Sequence, residues 1–232
     1  MSSQEQRTVL VIGSGPGIGN HVGATFAAQG FNRVILLARN AERIKKDKKD
    51  VESKSGRSGI SVETIQADIS NKAALKDALN QVEKVGGNIE CVFFNAARIL
   101  PAEILSEPVD TIEEDVNTTI IALYQVAQWA IPRLEALAAS SSSVKPSLLV
   151  TNSFLAADPL PFLFSLSLVK AAQRNLVISL AKTFESKGIR VGLVTVGGAV
   201  APENKHLNPT YIAEKIWGFF DQGKGLEVEI VE

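Results

Sequence analysis

Short apolar runs alternate with longer amphipathic stretches along the whole chain. Val9–Ile12 and Arg33–Ala38 are continuous apolar runs, the pattern of strands buried on both faces. Ile60–Ala67 alternates apolar with polar residues, and Ile89–Phe94, Pro146–Asn152, Ile189–Val196 and Leu226–Val231 complete the predicted strands. Between them, His21–Gln29, Asn71–Lys84, Val109–Ala138 and Tyr211–Phe220 read as helices, and Ala41–Ser55 as a charged helix. In Asn71–Lys84 one face collects Ala74, Leu75, Ala78, Leu79 and Val82. The Val109–Ala138 pattern is interrupted at Asn117-Thr118-Thr119, and Pro132 can kink its last turns. The basic run with Asp47 and Asp50 reads as a solvated helix face. Ser55–Gly59 is a loop, and Ala138–Lys145 reads as a flexible surface connection. No repeat or composition break divides residues 1–232, so one domain is expected.

The first strand runs straight into Gly13-Ser14-Gly15-Pro16-Gly17-Ile18-Gly19 and then a helix. Such a turn lets backbone approach a phosphate, whose charge the helix N-terminus favours. The G-x-G-x-x-G fingerprint started at Gly13 is met at Gly15 but fails at Ile18. Gly13, Gly17 and Gly19 instead form G-x-x-x-G-x-G. At the end of the second strand, Ala38 and Arg39 stand where an acidic residue would hold a ribose 2′-hydroxyl, and the first carboxylate is Glu42. An arginine there accommodates a 2′-phosphate, which favours NADP(H) over NAD(H).

Composition narrows the function further. The chain has 232 residues, 45% of them hydrophobic, and a net charge of −1, with no basic excess to attract nucleic acid. No apolar run approaches the length of about 18 residues needed to span a membrane. The opening MSSQEQR lacks the apolar region of a secretory signal, which points to a cytosolic protein. A single cysteine, Cys91, allows no internal disulfide, and two histidines, His21 and His206, are too few for a zinc site unaided.

The glycine spacing and the strand ends resemble the short-chain dehydrogenase/reductase family, and the resemblance extends from Val9 to Val231. It implies a Rossmann-like, doubly wound α/β fold: a seven-stranded, mostly parallel sheet with helices on both faces. It also implies NADP(H) along Gly13, Ser14, Gly15, Gly17, Ile18 and Gly19, with Arg39 at the 2′-phosphate. Asp68 and Ile69 would meet the adenine, although Asp68 suits equally well the N-cap of the next helix, as do Ser70 and Asn71. Asn95-Ala96-Ala97 resembles the family's N-N-A-G, with Phe94 for the first Asn and Ala97 for the Gly. Gly197, Ala199 and Val200 would flank the nicotinamide end.

The catalytic half departs from the pattern. Asn117 matches the family's water-holding helix asparagine, Ser153 its serine and Lys170 its lysine. The family's tyrosine falls at position 166, which is Leu166. Leucine has no proton to exchange with a substrate oxygen. Ser165 and Ser167 flank that position but point elsewhere on a helix, Tyr124 is expected to pack, and Tyr211 lies in a late helix. Three functions remain open: an NADP(H)-dependent reductase of a small substrate that needs no tyrosine proton, such as an imine or iminium; a non-redox cyclase or isomerase; or a non-catalytic NADP(H) sensor. Asp158, before Pro159, is either an ordinary turn residue or the anion facing a cationic substrate. The resemblance implies a homodimer or homotetramer through residues 109–138 and 163–187. Phe162, Leu163, Phe164, Leu166 and Leu168 suit either that contact or burial within the subunit.

Overall fold

The computed structural model describes residues 6–232. Seven strands form one sheet: β1 (Thr8–Ile12), β2 (Arg33–Ala38), β3 (Ser61–Gln66), β4 (Ile89–Phe94), β5 (Ser147–Ser153), β6 (Arg190–Val196) and β7 (Glu227–Ile230). Their order is β3-β2-β1-β4-β5-β6-β7, and every neighbouring pair is parallel. The sheet is wholly parallel, because each connection between successive strands is a crossover that returns the chain to the same end of the sheet.

The helices are α1 (Ile18–Ala28), α2 (Ala41–Ser55), α3 (Lys72–Gly86), α4 (Val109–Val116), α5 (Ala122–Ser140), α6 (Phe164–Phe184) and α7 (Pro209–Gln222). Alternation within β1 assigns them to faces. Val9 and Val11 pack with residues of α1, α2 and α7, whereas Leu10 and Ile12 pack with residues of α3, α5 and α6. Phe26, Phe31, Trp217 and Phe220 join α1 to α7, with Phe26 and Phe220 centroids 5.0 Å apart. Each fully buried ring contributes on the order of 1.5–3 kcal/mol. Asn40, Asn71 and Asn208 cap α2, α3 and α7 by accepting backbone N–H groups of the first turn. Asn71, not Asp68, is thus the cap of α3.

Three expectations change in detail. The interruption at Asn117 is a five-residue π-helical segment, Asn117–Ile121, between α4 and α5. The stretch read as a flexible link from Ala138 is helical to Ser140, and Lys145 is then fixed by its N–H to Glu90. Residues 163–187 become α6 followed by one 3-10 turn, Glu185–Lys187. Among the described residues no helix is long and apolar enough to cross a membrane.

Candidate active site and cofactor cleft

The strand order reverses between β1 and β4, the switch point where ligands of open α/β sheets bind. Here β1 ends and the chain turns at Gly13 with φ +91°. A Cβ on Gly13 would lie 2.6 Å from the Ala96 nitrogen, and one on Gly19 would lie 2.7 Å from the Gly13 oxygen. Packing alone therefore requires these two glycines. Gly17 differs: a Cβ would meet nothing within 4 Å, and Gly17 caps α1 with no side-chain hydrogen bond. Open space at a helix N-terminus is what a phosphate needs, so the turn fits a dinucleotide.

Residues the sequence reading passed over hold this turn. The Gly15 N–H donates to Asn20 Oδ1 at 2.9 Å, and Asn20 Nδ2 donates to Asp47 Oδ1 at 2.8 Å and Asp50 Oδ2 at 3.2 Å. Ser14 Oγ donates to Asp47 Oδ2 at 3.3 Å. Asp47 is only 3% exposed, so the basic run is not simply a solvated face. The signal was the acid placed on the apolar side of a lysine-rich helix, three residues after Ile44.

Arg39 projects from the end of β2 with its side chain 68% exposed. It does meet a carboxylate: its Nη1 lies 3.8 Å from Glu114 Oε1 on α4. The pair was invisible locally because β2 and the β4–α4 connection flank β1 from opposite sides. Glu114 Oε2 also pairs with Arg98 Nη2 at 3.1 Å, and Arg98 Nη1 with Asp115 Oδ1 at 2.8 Å. Ser165 Oγ donates to Asp115 Oδ2 at 2.5 Å. Asp68 accepts the N–H and hydroxyl of Ser70 in an exposed turn after β3, and Ile69 is buried in the core.

A chain of hydrogen bonds joins the glycine turn to α6. Asn95 Nδ2 donates to the Gly13 oxygen at 3.0 Å, and Thr151 Oγ1 donates to Asn95 Oδ1 at 2.8 Å. Lys170 Nζ donates to the Thr151 oxygen at 2.7 Å and to Gln173 Oε1 at 3.0 Å. Asn152 Nδ2 donates to the same Gln173 oxygen at 3.2 Å. Asn95 thus ties β1 to β5, and the sequence reading missed Thr151, Asn152 and Gln173. Ser153 closes β5 half-buried, its hydroxyl accepting the Leu155 N–H at 3.3 Å. Leu166 is buried one turn before Lys170, Ser165 and Ser167 bond elsewhere, and Asp158 is exposed in the turn after β5. Gly197 to Val200 follow β6, and Ala199 accepts from Asn204 Nδ2 at 2.9 Å. Tyr124 is 51% exposed rather than packed.

Residues 7–211 match the short chain dehydrogenase family. The chain belongs to this family. An uncharacterized oxidoreductase of Escherichia coli, YghA, is 26% identical over 194 residues, which are 83% of this chain and 62% of that protein. Mouse 17-beta-hydroxysteroid dehydrogenase 13 is 29% identical over 128 residues, 55% of this chain and 40% of that one. The chain spans less than two thirds of the length of these relatives. A Sphingobium yanoikuyae short-chain dehydrogenase solved with NADPH superposes with TM-score 0.81 at 20% identity, covering 96% of this chain and 87% of that one. A metagenomic short-chain oxidoreductase solved with NADP gives TM-score 0.83 at 19% identity, covering 99% and 97%.

Burial alone sets the Lys170 ammonium apart, drawing its pKa down to about 7. The unfolded chain keeps that proton to about pH 10.4. Between these values the unfolded state binds more protons, so stability rises with pH by up to about 1.4 kcal/mol per unit. Cys91, whose thiol burial raises, opposes this only toward its ordinary value of 9.0. Urea unfolding between pH 7 and 8.5 should show the rise in wild type and a flatter profile in Lys170→Met. Parallel profiles would mean that Lys170 is not buried as described.

Proposed function

We propose that the protein is an NADP(H)-dependent reductase acting on a small organic substrate that needs no tyrosine proton, with an iminium, or an imine reduced as its protonated iminium, the best match. The observation that carries this reading is a contrast within one cleft. The glycine turn is kept down to its packing, while leucine is buried one turn before Lys170 where the resembled family has its proton donor.

NADPH supplies a hydride equivalent when bound. The open side of the turn at Gly17, with Ser14, Gly15 and Ile18, would hold its phosphates, and Arg39 its 2′-phosphate. Asp68, Ile69 and the Asn95–Ala97 segment would border the adenosine half, and Gly197, Ala199 and Val200 the nicotinamide half. Lys170 would hold ribose hydroxyls at that end. Ser153 can donate a hydrogen bond to the substrate. Asn117, at a π-helical segment of the kind often found at functional sites, would hold a water.

Charge decides the substrate class. A carbonyl oxygen gains negative charge during reduction and needs an acid or an oxyanion site. An iminium ion begins positive and ends neutral, so it needs neither. Asp158, exposed near the end of β5, is the group we assign to the substrate's positive charge. NADPH consumption is expected with a cyclic iminium and at background with the ketone of the same skeleton. Asp158→Asn should then cost about tenfold in turnover, roughly 1.4 kcal/mol of barrier, at unchanged NADPH affinity. Ketone turnover equal to that of the iminium would contradict the reading.

Glu114 enters cofactor choice as the anion that a 2′-phosphate must displace from Arg39. An exposed pair of this kind is worth about 0–1 kcal/mol. Glu114→Gln should therefore tighten NADPH binding by up to about fivefold and leave NADH unimproved, measured by calorimetry. Equal tightening of both nucleotides would remove Arg39 from the 2′ position. A two-fold assembly through α4, α5 and α6 accords with the exposure of Val109, Tyr124 and Leu168, while Leu166 is spent on the subunit's own interior. Sedimentation should report a dimer or tetramer.

A further inference from the structure

The connections that follow β4 and β5 meet each other. The Ala102 N–H donates to the Phe162 oxygen at 2.9 Å, and Ala102 forms a parallel bridge with Leu163. Leu163 is the N-cap of α6, the helix that carries Leu166 and Lys170. Between the two connections lies an open groove of about 540 Å³, within the size range of small-molecule sites. Pro101, Ala102, Ile104, Pro161 and Phe162 give it apolar walls, and its ionisable lining consists of Glu103 and Glu107 alone.

Three features mark this groove as a place for a ligand of one charge. Its walls are wet: Phe162 is 60% exposed and Ile104 50% exposed. Leu105, next after Ile104 in the same connection, sits at φ +69°, the one non-glycine with positive φ among the described residues. Neither glutamate takes part in an ion pair among the described residues. Arg98, earlier in the same connection, is already shared between Glu114 and Asp115. The groove therefore presents hydrocarbon contact together with uncompensated negative charge.

We propose that this groove binds an apolar organic cation, an ammonium, amine or iminium group carried on a hydrocarbon skeleton, with the skeleton against Phe162, Ile104 and the prolines and the charge at Glu103 and Glu107. An anion would face both carboxylates. A neutral apolar ligand would desolvate them without return, and a second copy of the chain would bring the same acidic surface against itself. The proposal deepens the nitrogen-substrate reading and rests on it for the reaction, where Asp158 faces the charge, but not for binding in the groove, where Glu103 and Glu107 face it.

Three probes of equal length separate the charges: phenylbutylamine, phenylbutanol and phenylbutyrate, titrated calorimetrically into the full chain with and without NADPH. The amine is expected to bind about tenfold tighter than the alcohol, and the carboxylate weakest. In the Glu103→Gln, Glu107→Gln double variant that preference should fall below about twofold with alcohol binding unchanged. Phe162→Ala should weaken amine and alcohol alike. Equal binding of amine and alcohol, binding of none, or a preference that survives in the double variant would overturn the assignment. Amine binding without any NADPH consumption would keep the groove and discard the reductase. Iminium reduction with no charge preference in the groove would do the reverse.

Discussion

Leu166→Tyr is expected to raise NADPH-dependent ketone reduction by about a hundredfold over the wild-type background. A positioned general acid contributes roughly 10²–10⁴-fold. Leu166 is buried, one helical turn before Lys170. A phenol there would stand beside an amine whose pKa lies at about 7, so it would gain a partner able to trade protons at working pH. Iminium reduction should change little, because that reaction never needed the acid. Thermal unfolding of the variant shows whether the larger side chain is accommodated. A folded Leu166→Tyr that binds NADPH yet leaves ketone turnover at background would place the reacting centre elsewhere.

Gly13→Ala and Gly17→Ala should fail in opposite ways. At Gly13 the new methyl would press on the Ala96 backbone at 2.6 Å in a left-handed conformation at φ +91°. Neither the β4 end nor the turn can yield cheaply, since Asn95 bonds both Gly13 and Thr151. A loss of about 3 kcal/mol is expected, lowering Tm by roughly 6–12 °C for a chain of this size. At Gly17 the methyl meets no protein atom within 4 Å, so Tm should stay within about 2 °C. NADPH affinity should nevertheless fall about tenfold, because the methyl takes the space a phosphate would use. Scanning calorimetry and nucleotide titration on the same samples separate the two. Loss of stability in Gly17→Ala with full NADPH affinity would reverse the assignment.

The fold was legible because its signals are local. An apolar run such as Val9–Ile12 buried on both faces, a glycine turn and a helical period each lie within one short segment. The glycine turn was legible too, although spacing could not say that Gly13 and Gly19 answer to packing while Gly17 faces open space. What the sequence hid depends on contacts between distant elements. Asp47 looked like one more charge in a basic run until α2 was laid against Asn20. Glu114 reaches Arg39 only because β2 and β4 lie on either side of β1. Gln173 and Thr151 had no recognisable motif, yet they fix Lys170. Tyr124 was expected to pack, but its face of α5 is turned outward. The groove between Ala102 and Phe162 exists only once the connections after β4 and β5 are brought together.

The most direct measurement is calorimetric titration of the wild-type protein and Arg39→Ala with NADPH and with NADH. A charge-assisted hydrogen bond to the 2′-phosphate is worth on the order of 1.5–3 kcal/mol. NADPH should bind at least about tenfold tighter than NADH in the wild type, and Arg39→Ala should erase the difference. Equal affinities in the unmodified protein, or no binding of either nucleotide, would contradict an NADP(H)-dependent reductase.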